Sequence, residues 1–454
     1  MTTASDRTAL RRRRVLLVLG AVALGAVLAF VFWPRPPVLP PLPTHDDRAV
    51  AEAYAAARQP VLDQPQSAEA WGRLGMTLFA NGDSAAAVPF LAEAERLDAA
   101  DHRWPYLQAV ILLQGQPAAA LAKARRAQEA APHQVNIHIM AGEIAFLQGQ
   151  FAEAEAAFQQ ALRCDPDNPY ALLGMARWHA DQQRLAECRA LLGGIVGHGA
   201  VAKAAHALLA EVLDRAGQPD AARDTLRRAQ RLPEDPPRGD RVMDDVQQCL
   251  AGLKALNKRA EHLQKQGKLS EAIAVQKQAA QEYPNQVTAH FLLGKMYAQR
   301  ALTQRDPAAR QRDLAAADNA LQAALRLAPD NMRVKFYLGL AYFEQRSQPG
   351  ARAQAIAHFR GVLARQPDDS MATEYLGDCL MLQGAWQEAA NAFRKLVQLR
   401  PDLAEARAAL ADALEHQGDW AAALTARLNA IQLDSANVSN QTRLLLAIRR
   451  ICPR

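Results

Sequence analysis

The sequence predicts an all-α chain of stacked helical hairpins carried on an N-terminal membrane anchor, and three observations lead there. Half of the residues are apolar yet only 6% are aromatic, with alanine dominant, a balance that suits close-packed helices better than sheets rich in Val, Ile and Thr. Two distant stretches read alike: GQFAEAEAAFQQALRCDPDN from Gly149 and GAWQEAANAFRKLVQLRPDL from Gly384 keep Gly, Glu-Ala, Ala-Phe and Pro-Asp in the same places. At 454 residues the chain exceeds what one hydrophobic core usually organises, and stacked copies of one unit build a continuous core instead.

Residues 1–14 form a basic tail. Before residue 45 there are six arginines (Arg7, Arg11 to Arg14 and Arg35) against Asp6 alone, so this stretch carries most of the net charge of +6. The remainder is near neutral and offers no clustered basic face, which excludes nucleic acid as an expected partner. Residues 15–33, VLLVLGAVALGAVLAFVFW, contain no charged side chain. As a helix rising about 1.5 Å per residue they span close to the roughly 30 Å hydrocarbon core. Four arginines before this run and only Arg35 close behind it set the orientation: single-pass in the inner (plasma) membrane, N-terminus cytoplasmic, everything after Trp33 periplasmic or extracytoplasmic. A cleavable signal peptide fits less well, because the run ends in Phe30-Val31-Phe32-Trp33-Pro34 with no small-x-small site. Ala21, Gly25 and Ala29, four apart, give a face through which two anchors could self-associate. Residues 34–45 begin PRPPVLPPLP and read as a semi-rigid stalk of about 30 Å.

From residue 46 the pattern repeats at about 34 residues. One copy reads Trp71, Leu74-Gly75, Leu78, Gly82, Ala87, Leu91 and Ala94; another Gly142, Gly149, Ala154, Phe158, Ala161 and Pro166. Three further copies place Leu293-Gly294, Tyr297, Ala317 and Leu321; Leu338-Gly339, Tyr342, Ala355 and Phe359; and Leu376-Gly377, Gly384, Ala389 and Phe393. Five fainter copies begin near Asp101, Pro169, Lys203, Leu253 and Ala404. Small residues such as Gly142 and Ala154 let two helices approach, Phe158 and Phe393 fill the space toward the next hairpin, and the turn glycine takes a backbone angle others resist. Pro166 and Pro401 stop the second helix.

In this order the positions resemble the tetratricopeptide repeat (TPR) family. The resemblance implies a helix-turn-helix solenoid, a right-handed superhelix whose first helices line a concave groove for a protein or peptide partner. Residues 46–233 form an N-terminal sub-array, 234–252 a connecting segment running into one long helix, 253–434 a C-terminal sub-array and 435–454 a capping helix. The connecting reading rests on the break at EDPPRGD and the helical period of Val242, Val246, Leu250, Leu253, Leu256, Ala260 and Leu263. Eleven extra residues between Gly294 and Ala317, with Asp306-Pro307 as cap and first turn, predict two longer helices in that unit.

Motifs for catalysis are missing: there is no G-x-x-x-x-G-K-[ST], H-E-x-x-H or G-x-S-x-G. GGIVGHG (Gly193 to Gly199) lacks a preceding strand and a following Lys-Ser and reads as a turn. The five cysteines show no ligand spacing, and His138, His206 and His290 take the place that Trp71 holds in its own unit, as packing residues. No enzyme activity, cofactor or metal is expected. On the first helices, residues four apart face the groove implied by the resemblance: Phe291 and Lys295, Phe336 and Leu340, Glu374 and Asp378, with Phe146, Phe343 and Asp412 nearby. Aromatics beside isolated charges suit an extended or helical peptide. The Lys-Asn carboxylate clamp of co-chaperone TPRs is missing, since Glu261 follows Asn257 on that face. The expected function is a membrane-anchored scaffold for protein–protein interaction in assembly or secretion at the cell envelope. The competing expectation is an envelope holdase for unfolded clients, as in c-type cytochrome maturation.

Overall fold

The computed structural model describes residues 39–348 and 350–433. Among the described residues there are 22 α-helices and no strand, and the chain divides into two compact units, one ending at Gly252 and the other beginning at Leu253. Unit 1 opens with α1 (Arg48–Asp63). Five hairpins follow: α2 (Ala68–Asn81) with α3 (Ser84–Leu97), α4 (Arg103–Leu112) with α5 (Pro117–Ala130), and α6 (Val135–Leu147) with α7 (Phe151–Cys164). The last two are α8 (Pro169–Asp181) with α9 (Leu185–Ile195) and α10 (Ala202–Arg215) with α11 (Pro219–Arg231), before a short α12 (Arg241–Gln248). Unit 2 has five hairpins: α13 (Gly252–Lys265) with α14 (Leu269–Glu282), α15 (Val287–Thr303) with α16 (Pro307–Leu327), and α17 (Met332–Glu344) with α18 (Ala351–Leu363). It ends with α19 (Ser370–Gln383) and α20 (Trp386–Leu399), then α21 (Ala404–Gln417) and α22 (Trp420–Leu433). The ten hairpins coincide with the ten sequence copies.

Within each unit second helices pack on the first helix of their own hairpin and on that of the next, as α7 packs on α6 and α8 and α18 on α17 and α19. First helices also touch their successors, as α6 touches α8 and α17 touches both α15 and α19, so they share one face of the stack. The wedge that sets this spacing is an aromatic ring on glycine. A Cβ placed on Gly142 or on Gly174 would stand 2.7 or 2.4 Å from the ring of Phe158, which thereby seats on two successive first helices. In unit 2 Phe359 sits on Gly339 and Phe393 on Gly377, at 2.7 and 2.6 Å by the same measure. All three rings are at most 2% exposed, each burial contributing about 1.5–3 kcal/mol. The hairpin turns need a left-handed backbone, supplied by Gly149 (φ 71°) and Gly384 (φ 82°) in the two stretches that first revealed the repeat.

The place held by Trp71 has a second, polar duty. The Trp71 Nε1–H donates to the carbonyl of Pro65 at 3.0 Å, six residues back, and Nε2 of His138 and of His290 meets the carbonyls of Pro132 and Pro284 at 2.8 Å with the same separation. Arg407 donates likewise to Pro401. His138 also has Nδ1 at 3.0 Å from the Gln128 amide, which assigns the Nε2-protonated tautomer with one nitrogen donating and the other accepting. His206 departs from the rule, its Nδ1 facing the Ala202 carbonyl within its own helix.

The insertion between Gly294 and Ala317 lengthens both helices as expected, α15 to 17 residues and α16 to 21. Asp306 caps α16 by accepting from the Ala308 and Ala309 amides. Arg300 on α15 forks onto the buried Asp313 of α16 at 2.9 and 2.6 Å, tying the two together.

Two expectations are corrected. The long helix joining the sub-arrays does not form: α12 stops at Gln248 and α13 starts at Gly252. The Asn81 side chain donates to the Cys249 carbonyl (3.1 Å) and accepts from the Ala251 amide (3.0 Å), taking backbone groups that a continuous helix would pair internally. Gly252 then turns the chain at φ 61°. The stalk also does not stand free along its length, because Leu39 and Leu42 pack on the apolar core of unit 1. The predicted anchor at 15–33, its basic tail and the predicted cap at 435–454 lie outside the described residues. Among the described residues no helix is long and apolar enough to cross a membrane.

Because Gly174 and Phe158 share one space, Gly174→Ala is expected to lower stability by about 1–3 kcal/mol despite the better helix propensity of alanine. Combined with Phe158→Leu it is expected to cost at least about 0.5 kcal/mol less than the two changes summed. Urea denaturation midpoints of the four chains check both.

Candidate functional site

The first helices of unit 2 carry an aromatic face. On α17, Phe336 is half-buried and meets Tyr337, Phe359 and Tyr375 edge-on at 5.9, 5.8 and 6.1 Å between centroids. Phe343, two turns further on, meets Tyr375 of α19 at 5.4 Å, and Tyr375 stacks on Phe359 at 5.7 Å. Beside this cluster opens a cleft of about 320 Å³, lined by Lys295 and Leu302 of α15, Tyr337, Leu340 and Glu344 of α17, and Tyr375 of α19 among others. The extended α15 makes it: Leu302, 61% exposed, lies in the last turn that the insertion adds.

The electrostatics of this face are uneven. Glu374 is exposed and Asp378 half-buried, one turn apart on α19. Burial first, and then the neighbouring Glu374, push the Asp378 carboxyl up to about 6 from its ordinary 3.8, with Arg346 opposing. Burial and the carboxylates of Glu374, Glu344 and Asp378 push the Tyr375 hydroxyl up as well. Glu344 is paired with Arg310. The cations on the face lie against rings, Lys295 with Nζ 5.9 Å from the Tyr337 centroid and Arg346 at 4.8 Å over Phe343.

Of the nine predicted groove residues, Lys295, Leu340, Phe336, Phe343, Glu374 and Asp378 fall on this face or its rim. Three do other work. Phe291 is 6% exposed, set edge-on to Tyr337 at 5.4 Å in the apolar core between α15, α16 and α17. Phe146 belongs to unit 1, where its ring meets Phe151 at 5.7 Å and closes the turn between α6 and α7. Asp412 is tied to Arg427, a guanidinium 1% exposed that also reaches Glu415, each at 2.5 Å. For Phe291, chosen by its i, i+4 spacing to Lys295, packing geometry and not spacing decides whether the side chain meets solvent or a neighbour. Tyr337 and Tyr375 were missed. Their signal was present, an aromatic directly before Leu-Gly in two consecutive copies. Gly193 to Gly199 spans the end of α9 and the turn after it. Among the described residues Cys164, Cys188, Cys249 and Cys379 are free, and no group of three or more His, Cys, Asp or Glu is placed to hold a metal.

Hairpins stacked in register, with first helices sharing one face and an aromatic cleft between them, define a helical-repeat solenoid. The chain belongs to the tetratricopeptide repeat family: that family's profiles match residues 68–101, 112–169, 145–202, 257–309, 306–355, 350–404 and 386–438. No curated protein matches the sequence. Among solved structures the chain is similar to MamA MSR-1 C2, at 23% identity over 40% of this chain and 97% of that one, with a TM-score of 0.34. It is similar to MamA residues 41 to the end from Desulfovibrio magneticus RS-1, at 17% identity over 41% and 96%, TM-score 0.36. It is also similar to YrrB, described as a TPR protein with an unusual peptide-binding site, at 18% identity over 41% and 89%, TM-score 0.36.

Because folding raises the Asp378 pKa, the folded chain holds that proton more tightly than the unfolded one, and the stability this adds at low pH is lost as pH rises through about 6. Asp378→Asn is therefore expected to raise stability at pH 7 by about 1 kcal/mol after screening, with no gain at pH 4. Denaturation curves at the two pH values check this. Asp412→Ala, by contrast, strips the buried Arg427 of one carboxylate and is expected to cost about 1.5–3 kcal/mol in the same measurement.

Proposed function

We propose that this chain is a membrane-anchored scaffold that holds a partner protein by an extended segment laid on the aromatic face of unit 2. The observation that carries the reading is the cleft between α15, α17 and α19, apolar in its floor, flanked by rings and bordered by carboxylates. Such a face suits a segment that places an apolar or aromatic side chain in the cleft and a basic one toward Glu374 and Asp378. Charge at the rim serves selection more than affinity, since a basic side chain there meets carboxylates whereas an acidic one is repelled. The anchor reading is supported by the uncharged run at 15–33 behind four arginines; on that reading the repeats lie on the far side of the inner membrane. At that location the chain serves assembly or secretion at the cell envelope.

After detergent extraction the chain is expected to co-purify one stoichiometric partner, which Tyr337→Ala and Tyr375→Ala each weaken at least about tenfold. Because binding a basic side chain lowers the Asp378 pKa, affinity is expected to rise as pH increases through about 6 and to lose that dependence in Asp378→Asn. Suppression of aggregation of unrelated clients with no stoichiometric partner would instead identify a holdase. A reporter fused after Arg454 checks the side of the membrane: activity of a cytoplasm-only reporter would remove the anchored reading.

A further inference from the structure

Residues 234–251 belong to no hairpin, and their course is unexpected. Leaving α11, the chain runs back along unit 1 and meets the first helices in reverse order. Asp235 accepts from the Lys203 and Ala204 amides at 2.9 and 2.8 Å, capping α10 from 32 and 31 residues away, while Glu234 pairs with the Lys203 ammonium. Next, Arg238 lies 5.8 Å over the Tyr170 ring of α8 and reaches Glu143 of α6 at 3.3 Å. The Asn136 amide of α6 donates to the Gly239 carbonyl at 2.8 Å. The Tyr106 hydroxyl of α4 donates to Asp240, whose other oxygen accepts from the Val242 and Met243 amides and starts α12. Val246 of α12 is 3% exposed in the core of unit 1, and Val242, Met243, Cys249 and Ala251 pack against that core. Asn81 of α2 then takes the Cys249 carbonyl and the Ala251 amide.

The contacts have the character of ligand recognition. Side chains from five successive first helices, α10, α8, α6, α4 and α2, each hold one part of a single non-repeat segment. Asparagine amides bind its backbone and ion pairs bind its side chains, which is how an extended peptide is read. Pro236 and Pro237 stiffen the stretch and lower the cost of ordering it. Tethering adds to this, because an attached segment binds at a high effective concentration and needs little intrinsic affinity.

We propose that the inner face of unit 1 is a peptide-binding surface whose ligand is residues 234–251 of the chain itself, seated where a partner would otherwise lie. The chemistry that surface takes is an extended segment with two acids, two prolines, an arginine and a third acid, followed by a helical turn that buries a valine. Unit 1 is thereby closed to partners. This inference does not rest on the reading of unit 2.

The test uses the full-length chain and a variant carrying Asp235→Ala, Arg238→Ala and Asp240→Ala, titrated with a fluorescein-labelled synthetic peptide of residues 233–251. The unaltered chain is expected to leave the peptide unbound. The variant, whose own segment has lost its side-chain anchors, is expected to bind it at least about tenfold more tightly. Adding Asn81→Ala and Asn136→Ala is expected to remove that gain. Equal binding by the two chains, or a folded variant that binds no better, overturns the proposal. A reading that needs no variant is trypsin cleavage after Arg238, expected to be at least about tenfold slower in the unaltered chain than in the free peptide. Equal rates would likewise overturn it.

Discussion

The contact on which the rest of the molecule depends is a ring seated on glycine. An isolated hairpin leaves one apolar side of its second helix bare, and a phenylalanine there finds cover only if two first helices come close enough to share it. Phe158 meets that requirement because both Gly142 and Gly174 lack the atom that would collide with it. A side chain seated on the one glycine of its own hairpin recurs with Phe359 on Gly339 and Phe393 on Gly377, and with the smaller Leu91 on Gly75 and Leu321 on Gly294. From this one constraint follow the spacing of hairpins, the close approach of first helices and the existence of a common face. Interior close packing then makes each seat intolerant of added volume.

What the two units do with that common face differs. In unit 1 it is covered by residues that follow the last hairpin, through a helix cap, two ion pairs, asparagine amides and a buried valine. In unit 2 the described residues leave a cleft, widened by the insertion that lengthens α15 and α16. Other partly buried acids are paired with a cation of the chain itself, as Asp313 is with Arg300 and Asp412 with Arg427. Asp378 has burial and a like-charged neighbour instead, which is why its proton is held so tightly. Selection of a basic segment is the use such a carboxylate suits.

How much of this was legible varies with the range of the interaction responsible. The hairpins were, since each is specified within about 34 residues by small, aromatic, glycine and proline positions in fixed order. The caps at Asp306 and the left-handed turns at Gly149 and Gly384 were local enough to read directly. The groove was legible only in part: period marks one face of a helix, but Phe291 and Phe336 share a repeat position while one is buried against α17 and the other edges onto Tyr375. The helix expected across 242–263 failed because Asn81, some 170 residues earlier in the chain, competes for its backbone.

The sequence by itself determined the fold class, the number and boundaries of the hairpins and the residues that wedge them apart, because these are short-range and recur often enough to recognise. Only the tertiary structure decided which face is covered and which is open. That choice rests on contacts between residues about 30 to 170 positions apart, such as Lys203 with Asp235 and Asn81 with Ala251, and no periodicity records them.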